Sequence, residues 1–224
     1  MVAQTQTLTA FLLRQTLLPN DDVILELLTS DDQKISVFAH KLANSKKRRA
    51  EIDFFRLMDV VVQQTKNSWR LKSVSTQRVF GSCQQSYKVS TTCFDWLKEL
   101  YLVLPSEKNS PGVFQLLLDM VGYVSVDTLV SADAFFQGQI LRKLGMFPSL
   151  NLEPDTQWFD PLHFQLIDQP NNESLEMSLL LRKYLLFVSK CSFEQLTEKQ
   201  KKLDASMLEK AAAFCQVMLR YTKD

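Results

Sequence analysis

The sequence predicts an α+β chain, a β-barrel module followed by a helical one. Apolar residues alternate with period two over residues 5–76 and recur at three- and four-residue steps beyond about 82. Polar turn residues punctuate the first part at intervals suited to short strands. Charge divides at the same place: residues 1–80 hold 12 Lys/Arg against 8 Asp/Glu, and residues 81–224 hold 14 against 17.

Five strands follow in order. Thr5–Arg14 sets Leu8, Ala10 and Leu12 against Thr7, Thr9 and Phe11, which is the pattern of a half-buried strand. Val23–Thr29 offers Val23, Leu25 and Leu27; Lys34–Ala43 offers Ile35, Val37 and Ala39 opposite Lys34, Phe38 and His40. Ser30-Asp31-Asp32-Gln33 between them is turn chemistry for an antiparallel hairpin. Phe54–Gln64, carrying Met58, Val60 and Val62, and Trp69–Thr76 form a second hairpin through Thr65-Lys66-Asn67-Ser68. With a polar loop at 44–51 between strands three and four, this fits a five-stranded closed barrel of the oligonucleotide-binding kind, an OB-fold; an open five-stranded sheet packed on a helix is the other choice.

Helices take over after a boundary at 80–86, giving domains 1–80 and 81–224. Ser86–Leu104 carries Phe94, Leu97, Tyr101 and Leu104 at helical spacing. Pro111 after Ser110 opens a helix with Phe114, Leu117, Leu118 and Val121 on one face. Asp127–Leu144 is the next, stopped by Gly145 and Pro148. Residues 149–172, with Pro154, Pro161 and Pro170, read as a loop-rich connector with a short strand at His163–Ile167. Helices resume over Glu173–Lys190; Ser192-Phe193-Glu194-Gln195 is a capping-box pattern, and Asp204 caps a last helix to about Tyr221. The second domain is therefore expected to be all-α.

Composition narrows the function classes. The chain is 46% apolar with 5 Gly and 7 Pro, enough to bury a core and unlike a disordered polymer. Cys83, Cys93, Cys191 and Cys215 form neither a zinc pattern nor a stapled secreted scaffold, and so read as reduced intracellular thiols; Cys83 and Cys93 read as buried small hydrophobes. No apolar run approaches the ~20 residues of a membrane span, so a soluble, cytoplasmic protein without a membrane partner is expected. His40 and His163 lack a second ligand at metal spacing, and no glycine-rich phosphate loop can be written. Asp21-Asp22 and Asp31-Asp32 are turn carboxylates favoured for backbone hydrogen bonds. The expectation is a protein with no catalytic residues, metal or cofactor.

A binding constellation remains. Residues 33–78 hold 11 basic and 3 acidic side chains, a local charge of +8 that seeks phosphates or an acidic partner. Lys41, Lys46, Lys47, Arg48 and Arg49 crowd the loop after strand three, with Arg14, Lys34, Arg56, Arg70 and Lys72 on the strands around it. A mobile loop of cations beside a barrel can hold a nucleic-acid backbone without reading its sequence. Phe38 and Trp69 are interleaved aromatics for base stacking, or core residues of a small barrel.

The order Leu25-Glu26-Leu27-Leu28-Thr29, a short turn, Lys34-Ile35-Ser36-Val37-Phe38-Ala39 and a basic stretch resembles the N-terminal barrel of the bacterial RecO family. Trp96-Leu97-Lys98-Glu99-Leu100, Leu104-Pro105-Ser106-Glu107 and Val113-Phe114-Gln115-Leu116-Leu117 are similar to that family's helical run, as are Phe136, Ile140-Leu141 and Leu144-Gly145-Met146-Phe147-Pro148 to its next helix end. The similarity spans about residues 5–150. The chain departs from the family in lacking its zinc module, so that 149–172 reads as a shortened, metal-free replacement, and in ending soon after the last helix. Asn20 and His40-Lys41 also stand where other residues are usual, and Ala134 and Phe135 occupy a stretch often basic in the family. The resemblance implies a non-enzymatic, nucleoid-associated mediator of DNA repair and recombination. Such a protein binds single-stranded and double-stranded DNA and promotes strand annealing. It acts with RecR and the tail of single-strand-binding protein, and indirectly helps load the RecA recombinase. The residues themselves leave two other binding roles open, an RNA-binding barrel module and a protein-interaction scaffold whose basic loop docks an acidic partner.

Overall fold

The computed structural model describes residues 5–66, 68–152 and 157–221; Asn67 of the second hairpin turn and Pro154 of the connector lie outside them. Strands β1 (Thr5–Leu17), β2 (Val23–Thr29), β3 (Lys34–Ala39), β4 (Arg56–Gln64) and β5 (Trp69–Val79) close into a sheet of order β1-β2-β3-β5-β4. β1 serves two neighbours: Thr5–Ala10 pairs with β4 and Ala10–Leu17 with β2, with a bulge between Leu12 and Arg14 that bends the strand. Closure between β3 and β5 is parallel, through Val37 opposite Trp69 and Phe38 opposite Arg70. The alternation read from the sequence is the inside–outside alternation of this sheet. Leu12, Leu25, Leu27, Val37, Val60 and Val62 are buried in its core; removing each from water stabilises the fold by about 1.5–3 kcal/mol.

The expected polar loop after β3 is instead partly helical. β3 stops at Ala39, and α1 spans Lys46–Glu51. Lys, Arg, Ala and Glu are good helix formers, but α1 buries none of its residues, so no apolar period announces it.

The first compact unit does not end where the strands end; it covers residues 1–122. Two helices, α2 (Tyr87–Val103) and α3 (Val113–Tyr123), belong with the barrel. Phe11 shows why. It sits on the outward side of β1 yet is buried, because the Phe80 and Phe114 rings lie 5.9 and 5.4 Å from it. α2 starts as expected at a Ser86 cap, whose hydroxyl accepts from the Val89 amide. Its buried face is Val89, Cys93, Trp96, Leu97 and Leu100, rotated from the expected one so that Phe94 is exposed. The start of α3 is capped from a distance: both carboxylate oxygens of Asp32, in the β2–β3 turn, accept from the Gly112 and Phe114 amides at 2.7 and 2.8 Å.

The second unit, 123–224, departs from the all-α expectation. Between α4 (Leu129–Lys143) and α5 (Leu179–Lys190), strands β6 (Gln157–Asp160), β7 (Gln165–Ile167) and β8 (Leu175–Met177) form an antiparallel sheet of order β7-β6-β8. Strands of three or four residues are too short to display a period, so two of the three read as connector or helix. Asp160 organises the turn after β6, accepting from the Leu162 and His163 amides and pairing with His163 Nδ1 at 2.7 Å. The His163 contact holds the Asp160 carboxyl below its usual value. α6 (Phe193–Lys199) carries the predicted capping box, and α7 (Ala205–Tyr221) the Asp204 cap. Gly145 takes a left-handed φ of 71° where α4 ends.

Candidate nucleic-acid interface

Beyond β3 the chain turns at His40-Lys41, Lys41 adopting a left-handed φ of 47°. Asp22, at the start of β2, holds this turn: its carboxylate accepts the Lys41 amide at 2.7 Å and meets His40 Nδ1 at 2.9 Å. The Lys41 amide is the larger cause of that carboxyl's lowered pKa. Leu42 and Ile52 then drop into the barrel core on either side of α1. The far end of α1 is clipped to β5, where Glu51 accepts the Thr76 amide at 2.8 Å and its carbonyl accepts the Thr76 hydroxyl at 3.0 Å. The first of these bonds leads the causes that hold the Glu51 carboxyl below 4.5. The cations therefore sit on a pinned helix rather than on the mobile loop expected of them.

Within that helix the basic residues divide. Arg48 braces the turn, donating to the His40 carbonyl at 3.1 Å and to the Ser45 hydroxyl at 3.3 Å. Lys46, Lys47 and Arg49 project into solvent, and no ion pair engages their side chains among the described residues. Lys46 and Arg49 are three apart and share one side of the helix. Lys41 is exposed beside them.

The strand residues separate in the same way. Arg70 and Lys72 are exposed on β5, and Arg70 is in register with Phe38. Phe38 is half-buried on the outer face of β3, opposite Ile24. The structure corrects one predicted contact and gives two others partners in the fold. Lys34 is only 8% exposed, and its ammonium donates to the Tyr101 carbonyl at 2.8 Å; burial pushes its pKa down. Its strand position faces outward, but α2 covers that end of the sheet. Arg56 donates to the Ala50 carbonyl at 2.6 Å and lies 3.7 Å from Asp53, where it braces the exit of α1. Trp69 is in register with inward-pointing Val37 and, half-buried, packs against the barrel core as part of its wall. Arg14 is exposed, with its guanidinium 4.8 Å from the centre of the Tyr101 ring.

Sequence reasoning missed the clamps. Asp22, Glu51 and Thr76 each position the cations, but their partners are 19 to 25 residues away, so no local spacing shows them. Among the described residues no cluster of three or more His, Cys, Asp or Glu side chains could hold a metal ion, and no helix is long and apolar enough to cross a membrane. Cys83 and Cys93 are both fully buried, and the Cys93 thiol hydrogen-bonds the Cys83 sulfur and holds its pKa down. No family model and no curated protein matches this chain.

Proposed function

We propose that this protein is a non-enzymatic DNA-binding recombination mediator of the RecO kind, built on an OB-fold. The observation that carries the reading is the display of Lys46, Lys47 and Arg49 on one clamped helix, in no close ion pair among the described residues, beside exposed Lys41. An ordered row of unneutralised cations suits a backbone of regularly spaced phosphates, because binding releases condensed counterions without burying charge in protein. The strand order, the parallel β3–β5 closure and a helix between β3 and β4 support the OB-fold assignment. In that fold the β2–β3 face takes single strands; here Phe38 and Arg70 stand on or beside it. A cationic edge neutralises the repulsion between two strands, while contacts confined to phosphates leave base edges free to pair. That is the physical requirement for annealing. RecR, the tail of single-strand-binding protein and RecA, through loading, are the partners this role brings.

The test is an anisotropy titration with single-stranded DNA, duplex DNA and structured RNA of equal charge, each at two salt concentrations, followed by an annealing assay. Single-strand affinity that falls steeply with salt, together with faster annealing, is the expected result. Preference for structured RNA assigns the barrel to RNA handling instead. Absence of salt-dependent affinity for all three moves the role to docking an acidic protein.

A further inference from the structure

At the α1 end of the barrel, the inner face of the sheet is left partly open. Gln15 and Leu17 occupy inward register positions on β1, opposite Leu25 and Val23 of β2. Val23 and Leu25 are buried, yet Gln15 is exposed and Leu17 is 69% exposed. α1 and the segment before it close the barrel end only in part, and between them and β1 lies a cavity of about 290 Å³. Gln15, Leu17, Val23, Leu42, Ala43 and Arg49 line it. Leu17, Val23 and Leu42 make aliphatic walls, Gln15 brings an amide that both donates and accepts, and Arg49, one helical turn from Lys46, adds a cation to the lining.

The geometry points to a slot for one unstacked nucleobase, its phosphate held by Arg49 and Lys46; the inference rests on the DNA-binding reading above and deepens it. Size limits the occupant. Clefts for drug-sized molecules run from roughly 300 to 1,000 Å³, so this one, at the lower end, admits one small group such as a single planar ring. Polarity selects it, because a base has apolar faces to pack on aliphatic walls and an edge of donors and acceptors that an amide can meet on both sides. Charge completes the match: the base enters attached to an anion, and a planar guanidinium binds a phosphate through two parallel hydrogen bonds. Asp21 beside it is already engaged, its carboxylate accepting from the Asn44 amide group and its carbonyl from the Ala43 amide. A base inside a duplex reaches such a slot only by unpairing and unstacking. The slot therefore makes the protein prefer single strands, which the cations of α1 alone do not.

The experiment uses the full chain and a short single strand carrying 2-aminopurine, a base whose emission rises when it leaves the stack, with the matching duplex as reference. Wild type is expected to raise the emission on binding the single strand. Replacing Gln15→Ala and Leu17→Ser together, both at exposed positions, is expected to remove that rise and lower the single-strand to duplex affinity ratio by about fivefold or more, the low end of what one lost base contact costs. Duplex affinity stays unchanged. Reversing Lys46, Lys47 and Arg49 to Glu lowers affinity for both forms. Single-strand binding by wild type with flat emission, or a doubly substituted variant that keeps the full ratio, overturns the slot while leaving DNA binding intact. Failure of wild type to bind either form overturns the DNA-binding reading and the slot with it.

Discussion

Lys46, Lys47 and Arg49 differ from Arg48 by what their side chains already hold. The first three make no hydrogen bond or close ion pair among the described residues, whereas Arg48 is committed to the His40 carbonyl and the Ser45 hydroxyl. Reversal of the first three to Glu should abolish DNA binding in anisotropy at low salt and move the melting temperature little, since exposed charges contribute about 0–1 kcal/mol each. Arg48→Ala is expected to do the opposite, lowering stability with a smaller loss of affinity. Lys34 gives a second contrast. Its ammonium is satisfied by the Tyr101 carbonyl under the cover of α2, so Lys34→Ala should cost about 1–3 kcal/mol in urea unfolding and leave DNA affinity where it was. A loss of affinity at unchanged stability would return Lys34 to the interface. The residue types were legible in the sequence at both positions. Their partners were not, because Tyr101 lies 67 residues from Lys34.

At the scale of elements, helices are held by groups outside themselves. α1 is too short to be stable alone, and the bond from the Thr76 amide to the Glu51 carboxylate ties it to β5. That bond holds the Glu51 carboxyl below its ordinary 4.5 in the folded chain. A lowered carboxyl pKa contributes stability that is present above about 4.5 and fades as pH falls through the folded value. The melting-temperature gap between wild type and Glu51→Gln should therefore be open at neutral pH and close below about pH 4.5. A gap that persists unchanged into acid would show that the carboxylate charge is not what matters. Asp32 does for α3 what Glu51 does for α1. Asp32→Ala removes the acceptor of two helix-start amides and should cost about 1–2 kcal/mol by chemical denaturation. In the second unit, α4 and α5 approach closely at Gly138, where an added Cβ would lie 2.7 Å from Val188 Cγ2 and 3.1 Å from its carbonyl carbon. Gly138→Ala forces α5 to shift, so despite alanine's better helix propensity it is expected to destabilise by about 1–3 kcal/mol. A more stable variant would show that α5 can move freely.

For the whole molecule, the boundary between compact units carries its own prediction. A fragment of residues 1–122 keeps Phe80 and Phe114 over Phe11, the Tyr101 carbonyl for Lys34 and the α3 amides for Asp32. It should unfold cooperatively, whereas a fragment of residues 1–80 loses most of these partners and should be markedly less stable; equal stability of the two would place the boundary at the end of β5 after all. Sequence by itself determined the five N-terminal strands, their inner and outer faces, the Ser86, Ser192 and Asp204 helix caps and the concentration of positive charge in residues 33–78. These rest on local period and on the chemistry of one to four neighbouring residues, which a chain displays before it folds. Only the tertiary structure decided that the basic stretch after β3 is a clamped helix, that Lys34, Arg56 and Trp69 serve the fold, that three short strands interrupt the second unit, and that the barrel mouth is open beside Arg49. Each of those depends on groups that distant segments bring together, and a contact made by folding leaves no period in the sequence that makes it.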